Sequence, residues 1–245
     1  MAEPRTYRTI LARGPLTAFV VTVKETDLHV QARSDLSALT RDSILEQRGY
    51  LEAYIRRHPG FVSTLQPWSL TGPAPNIVQD MIAAGNAAGV GPMAAVAGAL
   101  AEQVGRRLLA HTEEVIVENG GDIFLQTGEA VTAAVFAGAS PLSLRIGFRI
   151  GGQNDPLAAC TSSGTVGHSL SFGRADAVCV VSRSGALADA SATAIGNRIH
   201  GVQDIAAGID FARGIAGVLG VLIVVGEKMG VWGAMEVVLL DRKNG

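Results

Sequence analysis

The chain is poor in the residues that mark several specialised classes. Among 245 residues it has two cysteines, Cys160 and Cys179, which excludes a disulfide-stapled scaffold and a cysteine-rich zinc site. Charge is scarce at 17% and nearly balanced, with a formal net of −2. No basic surface dominates, so nucleic acid is not an expected partner. His29, His58, His111 and His200 are scattered without metal-ligand spacing, and no HExxH, CxxC, GxSxG or GK[ST] run occurs. The opening MAEPRTYRTILARGP lacks an apolar run ahead of its charges and prolines, so no export signal is expected. The longest uncharged stretch, Met81 to Ala101, has the length of a bilayer span, about 20 residues. It consists mostly of alanine and glycine with Asn86 and Pro92, so it reads as buried helix. The expectation is a cytoplasmic protein that does not enter a membrane.

What the chain does have is apolar material and glycine. The hydrophobic fraction is 48% and there are 30 glycines, well above the usual share of about 7%. That composition supports a sizeable core, close backbone approach and tight turns. Residues Ala18 to Gln31 predict a β-hairpin turning at Glu25-Thr26-Asp27. A helix is predicted from Leu36 to Arg57, ended by His58-Pro59-Gly60, with a loop over Phe61 to Pro75. Helix returns over Asn76 to Ala110, broken near Gly89-Val90-Gly91-Pro92. The period then changes: strands are predicted at 114–118, 123–126, 130–136, 142–150, 157–161 and 177–182. Helices follow at 186–198 and 202–212, then a closing hairpin of Val218–Val225 and Val231–Leu240. Runs of strands separate from runs of helices point to an α+β fold with antiparallel sheet. No domain boundary stands out: residues 1–245 read as one domain, with 1–75 as an N-terminal hairpin-and-helix extension and 76–245 carrying the motifs.

Four stretches could carry chemistry, and each has an ordinary structural alternative. In Glu118-Asn119-Gly120-Gly121-Asp122 the glycine pair could let backbone approach a ligand, or make a type I′ hairpin turn. Thr161-Ser162-Ser163-Gly164 offers hydroxyl and N–H donors to phosphate, and His168 beyond it an acid or base; the alternative is a polar surface loop. Asp189 and Thr193, four residues apart, share one helix face and suit a hard cation such as magnesium. Alternatively Asp189 serves a helix dipole and Thr193 bonds back to its own helix. Gly91 and Met93, in GVGPMAAVAG, could open a helix onto an anion, or serve close helix packing.

Taken in order, NGGDI at 119–123, TSSG at 161–164 and ADAVCVVSRSGALADASATAI at 175–195 resemble the signatures of the ApbE-like superfamily, whose characterised members are FAD:protein FMN transferases. GVGPMAAVAGALAE, VENGGDIFL and GEKMGVWG resemble a shorter, cytoplasmic branch of it. The resemblance runs over roughly residues 80–240. It implies a T-fold with helices on one face of antiparallel sheet, and a homo-oligomer. It also implies Mg2+ held by Asp189 and Thr193 against the diphosphate of FAD, with Asp189 and His168 as catalytic residues. Gly91, Met93, Glu118, Asn119, Gly120, Gly121, Asp122, Thr161, Ser162, Ser163 and Gly164 would contact the flavin nucleotide, and FMN would pass to a Ser or Thr hydroxyl of a target flavoprotein. The chain departs from the family in three places. No lysine opens the helix at 91–94, Glu118 stands where the family has asparagine, and Gly167–Gly173 replaces the family's His-Ile-Ile-Asp-Pro stretch. A second reading therefore stays open: a flavin- or nucleotide-binding protein without turnover, aiding maturation of a redox enzyme.

Overall fold

A computed structural model describes residues 16–152, 155–164 and 172–240. Alternation along the strands, together with small residues in the helices, builds three layers. The central layer is an eight-stranded antiparallel sheet ordered β1-β2-β3-β4-β7-β8-β9-β10. Its strands are β1 (Thr17–Val23), β2 (Thr26–Ala32), β3 (Val115–Asn119), β4 (Asp122–Gln126), β7 (Leu157–Ser162), β8 (Ala177–Ser182), β9 (Val218–Val225) and β10 (Lys228–Gly233). A three-stranded sheet, β11-β6-β5, forms an outer layer from β5 (Ala130–Ala134), β6 (Ile146–Gly151) and β11 (Glu236–Leu239). The other layer is helical: α1 (Ser37–Arg57), α2 (Gly60–Ser63), α3 (Asn76–Ala88), α4 (Val96–Leu108), α5 (Gly185–Gly196) and α6 (Ile205–Gly214).

Side-chain parity shows which residues join which layer. Leu28, Val30, Val117 and Phe124 pack with Ile44, Met81 and Val104 of the helices. Val178, Val180, Val221 and Ile223 pack with Ile195 of α5 and Ala212 of α6. Their neighbours Ile116, Leu125, Cys179, Val181 and Leu222 point the other way, onto Ile146, Phe148 and Ile150 of the small sheet. Strands covered on both faces read as unbroken apolar runs, and all six residues of β8 are buried. The helices do lie on one face of the large sheet, as expected. The small sheet on the other face is an addition that the strand patterns did not disclose.

Several boundaries move. The first hairpin closes at Val23↔Thr26, so its turn is Lys24-Glu25 and not Glu25–Asp27. Lys24 takes the left-handed φ of 53° that such a tight turn requires. Part of the expected loop after Pro59 is the helical turn α2. Residues 142–145 are turn, and that strand starts at Ile146. The expected strand Val231–Leu240 breaks at Gly233, which has φ 82° and lies so close to Leu219 and Gly220 that a Cβ would collide with their backbone. Beyond it the chain crosses to the small sheet as β11. The uncharged stretch 81–101 is not one helix: Gly89, in the left-handed region, caps α3, and α3 meets the following helical segment at 106°. Among the described residues no single helix is long and apolar enough to cross a membrane. β2 pairs with β3, and Ile44, Leu51 and Tyr54 of α1 share a cluster with Met81 and Phe124.

Candidate functional site

The strongest convergence of predicted residues lies where α4 begins, α5 crosses it and the β3–β4 hairpin turns. Gly120 and Gly121 have φ of 68° and 113°, between the paired residues Asn119 and Asp122. The hairpin-turn reading of NGGD is therefore right. The turn nonetheless places two polar side chains on the helix-facing side, where Phe124 also points. The Asn119 Nδ2 donates to the Ala97 carbonyl at 3.1 Å. Asp122 is buried, and its Oδ1 accepts from the Thr161 N–H at 3.2 Å. Glu118 has the opposite parity: its Oε1 accepts from the Gly121 N–H at 2.9 Å, closing the turn. It does not face α4 and α5.

On α5, Leu187, Asp189 and Thr193 are partly exposed, while the other residues of the helix are buried. Alanines at 186, 188, 190, 192 and 194 let the helix sink into its neighbours, and Asp189 and Thr193 form its open stripe. Asp189 does act on a helix N-terminus, but on that of α4. Its Oδ2 accepts from the Ala97 N–H at 3.1 Å and the Gly98 N–H at 2.9 Å. Those are donors that the first turn of a helix leaves without partners. Glu102 of α4 does the converse, its Oε2 accepting from the Gly185 N–H at 2.7 Å. The helices cross at Gly98 and Gly185, where a Cβ on either would collide with the other's backbone carbonyl.

Two carboxylates thus share a space from which water is largely removed. Burial pushes Asp189 up from 3.8 to about 7, against the pull of the Gly98 and Ala97 N–H groups. Burial, and then the neighbouring charge of Asp189, raise Asp122 well above its ordinary value. Among the described residues no arginine or lysine is a principal cause of either shift. Cys160, on the same face, has its thiol held well up by burial and then by these carboxylates, and its Sγ donates to the Gly185 carbonyl at 3.5 Å. It is a buried thiol, not a thiolate.

The remaining predicted residues divide. Thr161 and Ser162 have opposite parity. Thr161 Oγ1 donates to the Cys179 Sγ at 3.2 Å on the small-sheet side, whereas Ser162 faces the C-terminal end of α5, close to Gly196. Ser163 is partly exposed. Gly164 is tightly stacked on Gly173, and Gly173 on Gly196. Gly91 lies against the backbone at Thr64 and Leu65, which leaves no room for a side chain. Met93 packs on the helical core. The close-packing reading of GVGPMAAVAG therefore holds, and the first donors of α4 are committed to Asp189 rather than offered to an anion. His168 lies outside the described residues. Sequence reasoning missed Glu102 and the Ala97 N–H as a partner of Asp189. The small residues flanking Asp189, and those of GVGPMAAVAG, were the signals that two helices come close.

Among the described residues no three His, Cys, Asp or Glu side chains form a metal cage. Two carboxylates and one alcohol are what magnesium takes when water and a phosphate complete its shell. The donor set is all hard oxygen, and the raised carboxyls are what two adjoining acids show in a water-poor space with no arginine or lysine beside them among the described residues. The residues fit the ion.

Fold and motifs together define the ApbE-like class. The chain is similar to the flavin transferase ApbE from Vibrio cholerae, with TM-score 0.59 and 13% identity over 89% of this chain and 97% of that one. It is equally similar to the apo form of the Pseudomonas stutzeri flavinyl transferase ApbE, with TM-score 0.58 and 13% identity over 89% and 94%. At that identity the likeness is one of fold. The family model described as AbpE bacteria matches residues 8–213, and the chain belongs to that family. Relatives include the UPF0280 protein of Methanocella arvoryzae, 42% identical over 214 residues and 87% of each chain. The UPF0280 protein of Methanococcus aeolicus is 40% identical over 230 residues, 91% of this chain and 93% of its own.

Proposed function

We propose that the protein binds FAD through its diphosphate with magnesium and transfers FMN to a Ser or Thr hydroxyl of a target flavoprotein, releasing AMP. The observation that carries this is the pair of adjoining carboxylates, buried Asp122 and half-buried Asp189, with Thr193 one turn along the open stripe of α5. Asp189 and Asp122 would hold the ion, with the Thr193 hydroxyl beside them. When bound, the ion would neutralise the negative charge of the diphosphate as the bond breaks. In the transfer the acceptor hydroxyl oxygen bonds to the FMN phosphorus, the bond to the bridging oxygen breaks, and AMP carries that oxygen away. The hydroxyl proton goes to a base, the role the family resemblance gives to His168. Asn119 fixes the hairpin to the start of α4, so the carboxylates stay aligned.

One observation favours the second reading, a flavin- or nucleotide-binding protein without turnover. The start of α4 has no lysine, and its Ala97 and Gly98 N–H groups are already taken. Charge stabilisation of a leaving phosphate is correspondingly less. Incubation with FAD, magnesium and candidate flavoproteins separates the two. Transfer predicts AMP in the supernatant and covalent fluorescence on the acceptor, both lost in Asp189→Asn. FAD binding without AMP supports the second reading, and neither binding nor AMP refutes both.

A further inference from the structure

The helix crossing beneath the site contains a device that the functional reading has not used. Each helix supplies a carboxylate to the other's first turn. Asp189 of α5 accepts the Ala97 and Gly98 N–H groups of α4, and Glu102 of α4 accepts the Gly185 N–H of α5. The exchange is possible because Gly98 and Gly185 let the backbones touch. A single such bond would fix one end of one helix. Two carboxylates bonding in opposite senses, at a glycine contact, fix the translation and rotation of both.

Glu102 is the better-braced half. Its side chain is buried, and its second oxygen, Oε1, accepts from the Arg106 Nε at 2.8 Å. Arg106 in turn lies over the Phe124 ring at 5.6 Å from its centroid. Phe124 is packed so closely against Gly105 that a Cβ there would collide with the ring. A chain of contacts therefore runs from the β4 core through Arg106 and Glu102 to the start of α5, four residues before Asp189. Asp122 stands on that same strand, two residues before Phe124.

We propose that Glu102 is a positioning residue for the magnesium site. It touches neither ion nor substrate, but by holding the first turn of α5 it sets where the Asp189 carboxylate stands relative to Asp122. The inference rests on the functional reading above for its consequence, and on the crossing geometry alone for its mechanism.

The two can fail separately. Amide hydrogen exchange measured by NMR without metal reads the mechanism. In wild type the Ala97 and Gly98 N–H groups are protected by Asp189, and in Glu102→Ala they are expected to exchange at least ~10-fold faster, whereas protection in β8 is unchanged. Unchanged protection at Ala97 and Gly98 overturns the proposal. Magnesium-titrated calorimetry reads the consequence. Glu102→Ala is expected to weaken magnesium roughly 10- to 100-fold, the usual effect of losing a group that orients a ligand. Glu102→Gln, which keeps an acceptor for Gly185, is expected to recover most of the affinity. Leu51→Ala, a core truncation in α1, lowers the melting temperature without changing magnesium affinity. Equal loss in Leu51→Ala and Glu102→Ala, or wild-type affinity in Glu102→Ala, overturns the proposal. If wild type itself binds no magnesium, the functional reading fails while the exchange result still decides the lock. Should Glu102→Ala not fold, Arg106→Met frees Oε1 and leaves Gly185 its acceptor. It is expected to show a smaller loss of the same sign, and wild-type protection in that variant overturns the proposal.

Discussion

The shared burial of Asp122 and Asp189 predicts an inverted pH dependence of stability. Asp189 titrates near 7 in the folded chain against 3.8 for an ordinary aspartate. Between those values the folded protein holds a proton that the unfolded chain has released. Stability therefore falls as pH rises from about 4 to about 7 and is flat above. Each pH unit of displacement is worth about 1.4 kcal/mol, which sets a ceiling on the order of 4 kcal/mol. Asp189 is partly exposed, so about 2–4 kcal/mol is the expected fall. For a chain of this size that is roughly 5–15 °C in melting temperature. Asp122, raised in the same direction, steepens the slope. Glu25, held low by a backbone hydrogen bond and then by Arg48, and Glu52, held low by Lys24, act in the opposite sense but below pH 4.5. A melt series from pH 5 to 8 in chelator isolates the carboxylate pair. Asn at 189 still accepts from Ala97 and Gly98 but carries no charge, and it relieves Asp122 as well. Asp189→Asn, in which Asp122 is still raised by burial but no longer by a neighbouring charge, should therefore fall less steeply than wild type over this range and melt above it at pH 8. Magnesium should restore wild type at pH 8, do little at pH 5, and leave the variant unchanged. A wild-type melting temperature that rises from pH 5 to 8, or parallel profiles for the two proteins, would refute the reasoning.

Other consequences follow from the same contacts. Gly185→Ala forces a methyl onto the Gly98 carbonyl, so urea unfolding should show a loss of about 1–3 kcal/mol. Thr193→Val, on the open stripe of α5, should keep the melting temperature within about 2 °C. The same variant should weaken magnesium roughly tenfold, about 1.4 kcal/mol, as read by calorimetry. Gly120→Ala meets no neighbour but must hold φ 68°, which costs about 1–2 kcal/mol and should appear in the same unfolding assay.

Much of the architecture was legible because local signals agreed. The Val218–Val225 strand, the helix ending at Arg57 and the break at Gly89–Pro92 each rest on period and turn chemistry alone. What stayed hidden depends on distant partners. β5, β6 and β11 form a second layer because Ile116, Leu125 and Leu222 are as apolar as the residues facing the helices, and a strand buried on both faces carries no alternation to read. The site was half legible. The i, i+4 spacing put Asp189 and Thr193 on one face, and strand parity alone separates Thr161 from Ser162 and Glu118 from Asn119. The partner of Asp189 is 91 residues away in α4, and no spacing rule within α5 points to it. The glycines of GVGPMAAVAG illustrate the converse. Their pattern suggested an anion cradle, yet Gly91 is required by the backbone of Thr64 and Gly98 by that of Gly185.

Phosphorus NMR of FAD with substoichiometric manganese in place of magnesium tests the central claim most directly. Bound to wild type, both diphosphate resonances should broaden far beyond the effect of manganese on free FAD, since in the proposed complex Asp122, Asp189 and Thr193 would hold the paramagnetic ion against the diphosphate. In Asp189→Asn the extra broadening should vanish. Equal broadening in the two proteins, or none beyond free FAD, would contradict the account.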